Sequence, residues 1–257
     1  MKDYSRELEV AKAIAEKAGK TMLEYFDADQ KMARKLDDSP VTIADTLVNT
    51  MVIQELKKAF PEDGVIGEEE STSDYGMGRM WFCDPIDGTK AYTWGVPTAM
   101  FSLGLVVDGI PVMGVAYDPF LDKLYSGVKG HGSVCNGQSL KVSSHDLANG
   151  LIAVTSRVES ISAGSKHVKY LLAGGARLIT FNGAVYKATL VAKGRTAGYV
   201  EDGVNAFDVA AINVIVEEAG GKVTGLDGKP IDYSKPFKGV IVSNGVVHDD
   251  ILKALRS

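Results

Sequence analysis

The chain has 257 residues, of which 45% are hydrophobic, so it can bury a substantial core as one large domain or as two close lobes. Its 28 basic and 33 acidic residues give a net charge of −5, and it contains no basic patch or arginine-rich run of the kind that binds nucleic acid. No apolar run approaches the roughly 18 residues of a membrane-spanning helix. We therefore expect a globular protein whose partners include neither a nucleic-acid polymer nor a membrane.

The N-terminus and the cysteine content bear on cellular location. The first 20 residues are charged throughout and lack the apolar core of a signal peptide. The two cysteines, Cys83 and Cys135, make neither a disulfide framework nor a metal knuckle. Both observations favour a reducing, cytoplasmic setting.

Two amphipathic helices are predicted in the first 60 residues. Between Ser5 and Phe26 the apolar side chains recur at helical spacing, which predicts a helix with one core-facing stripe. A second helix is predicted to begin after Thr42, with Asp45 at its third position. Thr42 and Asp45 match a capping box. Helix capping is therefore one interpretation of Asp45, and a functional role is the other.

Two apolar strands run directly into acidic residues. Val65–Gly67 is followed by Glu68, and Met80–Cys83 is followed by Asp84–Thr89, which reads DPIDGT. Because a proline cannot donate a ladder hydrogen bond, we expect the second strand to end at about Asp84. Open α/β sheets tend to place their sites at the carboxyl ends of buried strands, so both acidic segments are candidates.

The segment Asp84–Thr89 combines two carboxylates with N–H groups in a turn. That combination suits a divalent cation and the phosphate that it bridges. Gly88 permits a sharp turn or a close approach to a ligand, and Thr89 can open a helix. The alternative is an Asx-type turn whose acids are simply solvated.

The rest of the chain is predicted to be strand-rich and then alternating. From Met100 to Val142, hairpin turns are indicated by Asp-Gly at 108–109 and Asn-Gly at 136–137. From Leu151 onwards, strands alternate with helices over short connections, which predicts a layered α/β lobe. We expect a single domain, 1–257, with a mixed α+β lobe over about 1–148 and an α/β lobe over about 149–257.

A third acidic position, Asp208, falls in the first turn of an apolar helix predicted over 206–219. An acid there interacts favourably with the helix dipole by about 0.3–1 kcal/mol, which is one interpretation. The other is a carboxylate that the second lobe directs towards a cleft between the lobes.

These segments together resemble the inositol monophosphatase family of magnesium-dependent, lithium-sensitive phosphatases. The resemblance rests on DPIDGT at 84–89, GEE at 67–69, FDVA at 207–210, EEAGG at 217–221 and PVTIAD at 40–45. It covers nearly the whole chain. It implies an α/β protein with the layered α-β-α-β-α sugar-phosphatase fold, two or three Mg²⁺ ions as cofactors, a small-molecule phosphate as substrate and a homodimer.

The resemblance also implies a role for each matching residue. Metal ligands are implied at Glu68, Asp84, Ile86 (through its carbonyl), Asp87 and Asp208. Catalytic roles with the attacking water are implied for Asp45, Glu68 and Thr89. Contacts with the substrate or its phosphate are implied at Asp87, Gly88, Thr89, Gly183, Ala184, Glu201 and Asp208. Lys35 lies near the position of a family lysine by the active site.

Electrostatics supports a metal site independently of the resemblance. Two carboxylates about 4 Å apart repel by about 4 kcal/mol at an effective dielectric constant of 20. Since no basic residues cluster nearby in the sequence, four such groups and a phosphate require cations, and hard oxygen ligands favour Mg²⁺. Two Mg²⁺ ions about 3.5–4 Å apart would clamp the phosphate, activate a water and stabilise the leaving alkoxide.

The substrate is less defined than the reaction. The segment Gly183–Val185 differs from the Gly-Thr-Ala of inositol-specific members, and Lys90–Thr98 is more similar to the histidinol-phosphate or nucleotide-phosphate branches. We favour inositol monophosphate or a related polyol phosphate. The alternatives are histidinol phosphate, fructose 1,6-bisphosphate and a 3′-nucleotide bisphosphate, and an inactive metal-binding scaffold of the same fold.

A haloacid-dehalogenase-type phosphatase is excluded by spacing. That class also has two acids before a Gly-Thr pair, but only one residue separates the two acids. Side chains two positions apart on an extended backbone point the same way, so both acids of that class face the same side. In this chain Pro85 and Ile86 both intervene, and that geometry fails.

Overall fold

The computed structural model of the protein describes residues 3–26, 33–34, 40–154 and 166–256. The position of Lys35 lies outside the described residues. The helices are α1 (Ser5–Phe26), α2 (Ile43–Ala59), α3 (Thr89–Thr93), α4 (Lys166–Ala173), α5 (Ala184–Ala192), α6 (Ala206–Glu218) and α7 (His248–Arg256). The strands are β1 (Ala33–Arg34), β2 (Pro40–Val41), β3 (Gly64–Gly67), β4 (Arg79–Asp87), β5 (Met100–Val107), β6 (Ile110–Asp118), β7 (Lys123–Val128), β8 (Ser133–Cys135), β9 (Gln138–Ser139), β10 (Leu151–Val154), β11 (Arg177–Thr180), β12 (Gly198–Glu201), β13 (Lys222–Thr224) and β14 (Val240–Ser243).

Two large sheets organise the fold. The first has seven strands in the order β3-β4-β5-β6-β7-β8-β9, with β3 parallel to β4 and the remaining pairs antiparallel. The second has five strands in the order β11-β10-β12-β14-β13, in which β10 is parallel to both of its neighbours. The boundary that we propose between the lobes, at about residue 148, lies between β9 and β10.

Hydrophobic clusters place the helices in layers around these sheets. Helices α1 and α2 pack on the outer face of the seven-stranded sheet, α5 and α6 lie between the two sheets, and α4 and α7 pack on the outer face of the five-stranded sheet. The cluster beneath α1 and α2 includes Ile14 and Trp81, and the cluster between the sheets includes Phe82 and Ile212. The cluster beneath α4 and α7 includes Ile152 and Ile251. This arrangement confirms the layered α-β-α-β-α fold. Among the described helices, none is long and apolar enough to cross a membrane.

Glycines bring α6 into direct contact with the seven-stranded sheet. A Cβ atom on Gly114 of β6 would lie 2.2 Å from the Ala211 carbonyl oxygen, and one on Gly104 of β5 would lie 2.7 Å from the Ala211 nitrogen. No side chain fits between those backbones, so the helix lies closer to the sheet than larger residues would allow. This packing fixes the position of Asp208, one turn earlier on the same helix.

Strand β4 differs from the sequence prediction at its carboxyl end. The strand continues to Asp87 instead of ending at about Asp84, with a change of register between these two residues. Pro85 lies in the irregular segment, where a ladder donor is not required, and the Ile86 N–H donates to Asp84 Oδ1 at 3.0 Å. The prediction was wrong because it did not consider that a bulge accommodates the proline.

Candidate metal centre

Three carboxylates from two elements converge between the sheets. Asp84 and Asp87 come from the end of β4, and Asp208 comes from the first turn of α6. One oxygen from each of the three lies within 4.8 Å of one from each of the others. The structure therefore brings together acids as far apart in the sequence as Asp84 and Asp208, which are separated by 124 positions.

The bulge in β4 explains why both of its acids face the same way. Residues three apart in a regular strand point to opposite faces. Here Asp84 pairs with Ser102 and Asp87 pairs with Met100, so three positions on β4 match two on β5. Because of the additional residue on β4, the two acids point to the same face of the sheet. A bulge can redirect a side chain towards a site in this way.

Asp208 is held by the start of its own helix. Its Oδ2 accepts a hydrogen bond of 2.6 Å from the backbone N–H of Asn205, the residue that caps α6. The acid is thus at a favourable position for the helix dipole and also a member of the carboxylate cluster. The position of Asp208 in the first turn of α6 is confirmed, and its role at a cleft between the lobes stays a prediction.

Asp87 is held by the first turn of α5. Its Oδ1 accepts 2.8 Å from the Ala184 N–H, and its Oδ2 accepts 2.7 Å from the Val185 N–H, both in the first turn of α5. The preceding Gly183 has φ of 95°, a conformation that side chains rarely adopt. The predicted substrate positions Gly183 and Ala184 therefore lie beside Asp87, and the Ala184 amide is used to orient that carboxylate.

Burial and mutual repulsion raise the pKa values of the cluster. Burial is the main reason that the pKa of Asp84 is well above its usual range, and the charges of Glu68, Asp208 and Asp87 add to it. The pKa of Asp208 is raised well above its usual range for the same reasons. Burial also raises the pKa of Asp87 to about 6, although the Ala184 amide opposes the shift. A cation bound among these oxygens would offset the cost of burying the carboxylates and the repulsion between them. Oxygen-only donors suit hard divalent ions.

Glu68 lies at the edge of this cluster. It follows β3 directly, and its N–H donates to the Cys83 carbonyl at 3.1 Å, which joins the end of β3 to β4. In the part of the chain that the structure describes, the group of oxygens within 4.8 Å does not include Glu68. Its charge nevertheless acts on Asp84, Asp208 and Asp45. The role of Glu68 as a metal ligand therefore stays a prediction.

Asp45 and Thr89 form a second polar contact at the site. The Thr42 N–H and hydroxyl donate to Asp45 Oδ2 at 2.7 and 2.6 Å, which confirms the capping box at the start of α2. The Thr89 hydroxyl donates to the Ile86 carbonyl at 3.1 Å and lies 3.5 Å from Asp45 Oδ1. Burial raises the pKa of Asp45 to about 7, with hydrogen bonds from Thr42 opposing the shift. The side chain of Thr89 thus links Asp45 to the backbone between the two acids of β4.

Two residues at the site did not follow from the sequence. Lys187 of α5 donates to Glu201 Oε2 at 2.5 Å, with its own side chain only 1% exposed. Asn182 Oδ1 accepts 3.2 Å from the Ala91 N–H of α3, which connects the segment before α5 to the segment after β4. A lysine inside an otherwise apolar helix was a signal that could have pointed to Lys187.

The layered fold and its buried carboxylate cluster place the protein in the class of metal-dependent phosphatases. The chain belongs to the inositol monophosphatase family, because the sequence model of that family matches residues 3–257.

Individual relatives agree with this assignment. The chain is 36% identical to a histidinol-phosphatase of Chlorobaculum parvum over 217 residues, which is 84% of each protein. It is 32% identical to inositol monophosphatase 1 of Bos taurus over 262 residues, covering 97% of this chain and 94% of that protein. Among solved structures, it is similar to the IMPase of Thermotoga maritima with a TM-score of 0.89 and 28% identity, covering 97% of this chain and 96% of the other.

Proposed function

We propose that the protein is a Mg²⁺-dependent phosphomonoesterase that acts on a small polyol phosphate such as inositol monophosphate, with a metal-activated water as the nucleophile. The observation that carries the proposal is the convergence of Asp84, Asp87 and Asp208 in a buried cluster. Membership of the inositol monophosphatase family supports the same reaction class.

The proposed cofactor follows from the ligands. Asp84, Asp87 and Asp208, with Glu68 at the edge and the Ile86 carbonyl beside them, would hold two or three Mg²⁺ ions, because all of these donors are oxygens. When bound, Mg²⁺ neutralises the carboxylates, lowers the pKa of a coordinated water and stabilises the leaving alkoxide. The protein orients these ligands through the hydrogen bonds that Asp87 and Asp208 accept from helix N-termini.

The proposed nucleophile is oriented by Thr89 and Asp45. The Thr89 hydroxyl has one proton and two lone pairs, so while it donates to Asp45 or to the Ile86 carbonyl it can also accept a hydrogen bond from a water. Asp45 Oδ1 lies 3.5 Å from that hydroxyl and would accept the hydroxyl proton. The N–H groups of Gly88 and Thr89 stay predicted contacts to the phosphate.

Histidinol phosphate is the second candidate substrate. The relative from Chlorobaculum parvum, with 36% identity, is named a histidinol-phosphatase. Inositol monophosphatase 1 of Bos taurus is matched over a larger share of this chain, 97% against 84%. The two substrates differ in the leaving group, which is a neutral polyol in one and an ammonium-bearing alcohol in the other.

The experiment is phosphate release with and without Mg²⁺ on inositol 1-phosphate, histidinol phosphate, fructose 1,6-bisphosphate and adenosine 3′,5′-bisphosphate. We expect Mg²⁺-dependent release that is abolished in Asp84→Asn, which removes a ligand at constant volume. The exposed acid Asp74 provides a matched control, and Asp74→Asn should retain activity. Full activity in Asp84→Asn, or no release from any substrate by the wild-type protein, would contradict the proposal.

Three further properties are proposed from the resemblance to the family: inhibition by Li⁺, a homodimer and a cytoplasmic location. Light scattering at micromolar protein concentration tests the dimer, and a Li⁺ titration of the Mg²⁺-dependent activity tests the inhibition. Localisation of a tagged full-length chain tests the third.

A further inference from the structure

Ser102 is a buried serine beside the carboxylate cluster. It lies on β5, where it pairs with Asp84 of β4 in the antiparallel ladder. Ser102 is fully buried, and within the described residues its hydroxyl has no hydrogen-bond partner. An unpartnered hydroxyl in a protein interior is unfavourable, so this one requires an explanation.

The ladder places the side chains of Ser102 and Asp84 next to each other. Residues that pair across antiparallel strands point to the same face of the sheet, with Cβ atoms about 4.5–5.5 Å apart. Gly104, two positions further along β5, lies against the backbone of Ala211 in α6, so this face is the one between the two sheets. Asp208 belongs to the first turn of the same helix. Ser102 therefore faces the layer in which the carboxylates converge.

Asp84 is the neighbour of Ser102 that can accept a hydrogen bond from it. The other neighbours on this face are Met100 and Gly104 along β5 and Ala116 across on β6. None of these three has an oxygen in its side chain, whereas the carboxylate of Asp84 has two. Because an ionised carboxylate has about four lone-pair sites, Asp84 can bind a cation and still accept a hydrogen bond from a hydroxyl.

We propose that Ser102 is a positioning residue for the metal centre: its hydroxyl donates to the Asp84 carboxylate when a cation is bound, and so fixes the orientation of that ligand. The inference rests on the metal site of the proposed function and adds a residue outside its ligands. The backbone supports Asp84 from its own strand, since the Ile86 N–H donates to Oδ1 at 3.0 Å. Ser102 supplies a second donor from the neighbouring strand. Groups that support a metal ligand in this way commonly change metal affinity by about 10- to 100-fold.

The competing explanation of Ser102 is packing alone. Because α6 lies so close to β5 at Gly104, a small residue is favoured at the neighbouring position, and serine is small. The two explanations differ in the effect of Ser102→Ala, which fills nearly the same space without the hydroxyl. A packing role predicts an unchanged affinity for Mg²⁺, whereas a positioning role predicts a weaker one.

The experiment is isothermal titration calorimetry of the metal-free, full-length protein with Mg²⁺. We expect the dissociation constant for Mg²⁺ to rise by about tenfold in Ser102→Ala. The Mg²⁺ concentration that gives half-maximal phosphate release should rise by the same factor. In EDTA the variant should melt at the wild-type temperature or above it, because it removes an unpartnered hydroxyl from the interior.

Ser133 provides a matched control. It lies on β8, three strands from β5 in the same sheet, and it is 4% exposed. Its hydroxyl also has no hydrogen-bond partner in the part of the chain that the structure describes. Ser133→Ala therefore removes the same kind of group at a distance from the carboxylates, and this variant should bind Mg²⁺ with the wild-type affinity.

A second substitution at the same position covers the case in which Ser102→Ala does not fold. In Ser102→Cys a thiol replaces the hydroxyl, and a thiol is the weaker donor, so this variant should also bind Mg²⁺ less tightly. Wild-type affinity in either variant that folds would overturn the role of Ser102. An equal loss of affinity in Ser133→Ala would overturn it as well.

Failure of this inference is distinguishable from failure of the proposed function. If the wild-type protein releases phosphate and Ser102→Ala binds Mg²⁺ as tightly as the wild-type protein does, only the role of Ser102 is overturned. If the wild-type protein binds Mg²⁺ but releases no phosphate from any substrate, the proposed function is wrong, and the calorimetric comparison still decides the role of Ser102. A wild-type protein that binds no Mg²⁺ would overturn both.

Discussion

The Asp87 carboxylate accepts a 2.8 Å hydrogen bond from the Ala184 N–H, 97 positions later in the chain. The first residue ends a strand of the seven-stranded sheet, and the second begins a helix that lies between the two sheets. Because the Val185 N–H also donates to Asp87, both oxygens of this carboxylate are fixed by one helix start. The geometry of the metal centre therefore depends on the packing of α5 as well as on the loop that carries the acids.

Substitution of Gly183 tests this dependence. A Cβ atom on Gly183 would lie 2.8 Å from Asp87 Oδ2, and its φ of 95° is unfavourable for any other residue. We expect Gly183→Ala to lower Mg²⁺-dependent turnover by about 10²-fold, because a small displacement of a ligand is costly in catalysis. The measurement is kcat as a function of Mg²⁺ concentration.

Gly78 is a matched control for that substitution. Its φ is also 95°, but a Cβ atom there would meet nothing within 4 Å. Gly78→Ala places a side chain at the same φ without the clash, so it should reduce stability but not turnover. If the two variants lose turnover equally, the contact with Asp87 is not the reason for the loss.

Thr89 allows a test of how the water is oriented. Thr89→Val keeps the shape of the side chain but removes the hydroxyl that contacts Ile86 and Asp45. We expect kcat to fall by about 10²-fold or more with little change in KM, since the hydroxyl acts on the nucleophile and not on the substrate. Steady-state kinetics at saturating Mg²⁺ measures both parameters.

Thr89→Ser provides the comparison, because it retains the hydroxyl and removes only a methyl group. It should keep most of the wild-type kcat. Equal losses in the serine and valine variants would assign the effect to packing instead of to the hydroxyl.

The acids of β4 and the helix that carries Asp208 were predictable because their signals are local. A strand that runs into Asp84–Thr89, and a first-turn acid in an apolar helix, both follow from spacing and burial pattern. The α/β character of the chain after Leu151 also followed, since strands and helices alternate there, whereas the α-β-α-β-α order of layers was implied by the resemblance to the family. The end of β4 was not predicted correctly, because the bulge that accommodates Pro85 depends on the register with β5.

Long-range partners were beyond the reach of the sequence. The ion pair of Lys187 and Glu201 joins a helix to a neighbouring strand, and the amides that hold Asp87 come from the start of α5. Neither relationship has a fixed spacing that a single sequence displays. The lack of a basic cluster near the acids in sequence did not reveal that packing pairs the buried ammonium of Lys187 with Glu201.

Metal binding should offset the repulsion within the cluster. Burial, with the charges of Asp87 and Glu68, raises the pKa of Asp208, so the ionised form of this acid destabilises the metal-free fold. We expect Asp208→Asn to melt at a higher temperature than the wild-type protein in EDTA. It should gain less from Mg²⁺, which stabilises a wild-type protein by about 2.7 kcal/mol at 100 times the dissociation constant.

Thermal unfolding at pH 8 with EDTA or with Mg²⁺ measures both effects. The exposed acid Asp74 is again the control, because Asp74→Asn should show the wild-type response to Mg²⁺. An Asp208→Asn variant that gains as much from Mg²⁺ as the wild-type protein would show that this carboxylate does not bind the metal.

His248 provides a test of stability that is independent of the metal. It is fully buried at the start of α7, with Nδ1 2.8 Å from the Ser243 hydroxyl and Nε2 3.0 Å from the Thr224 hydroxyl. Burial lowers the pKa of His248 to about 4, and the charge of Lys222 contributes in the same direction. In the unfolded chain, by contrast, a histidine has a pKa of about 6.5.

The sign of the pH effect follows from these two values. Above about pH 6.5 the imidazole is neutral in both states, and its contribution to stability is complete. As the pH falls towards 4, the unfolded chain binds a proton that the folded protein does not, so the free energy of unfolding decreases. The expected decrease from this residue is about 2 kcal/mol between pH 7 and pH 5.

His248→Gln isolates this contribution. The variant loses packing and hydrogen bonds at every pH, but its free energy of unfolding should fall less than that of the wild-type protein between pH 7 and pH 5. Asp45 and Asp87, with pKa values of about 7 and about 6, titrate in the same range and cancel when the two proteins are compared. Urea unfolding at both pH values gives the difference, and parallel pH profiles would mean that the folded protein protonates His248 as readily as the unfolded chain does.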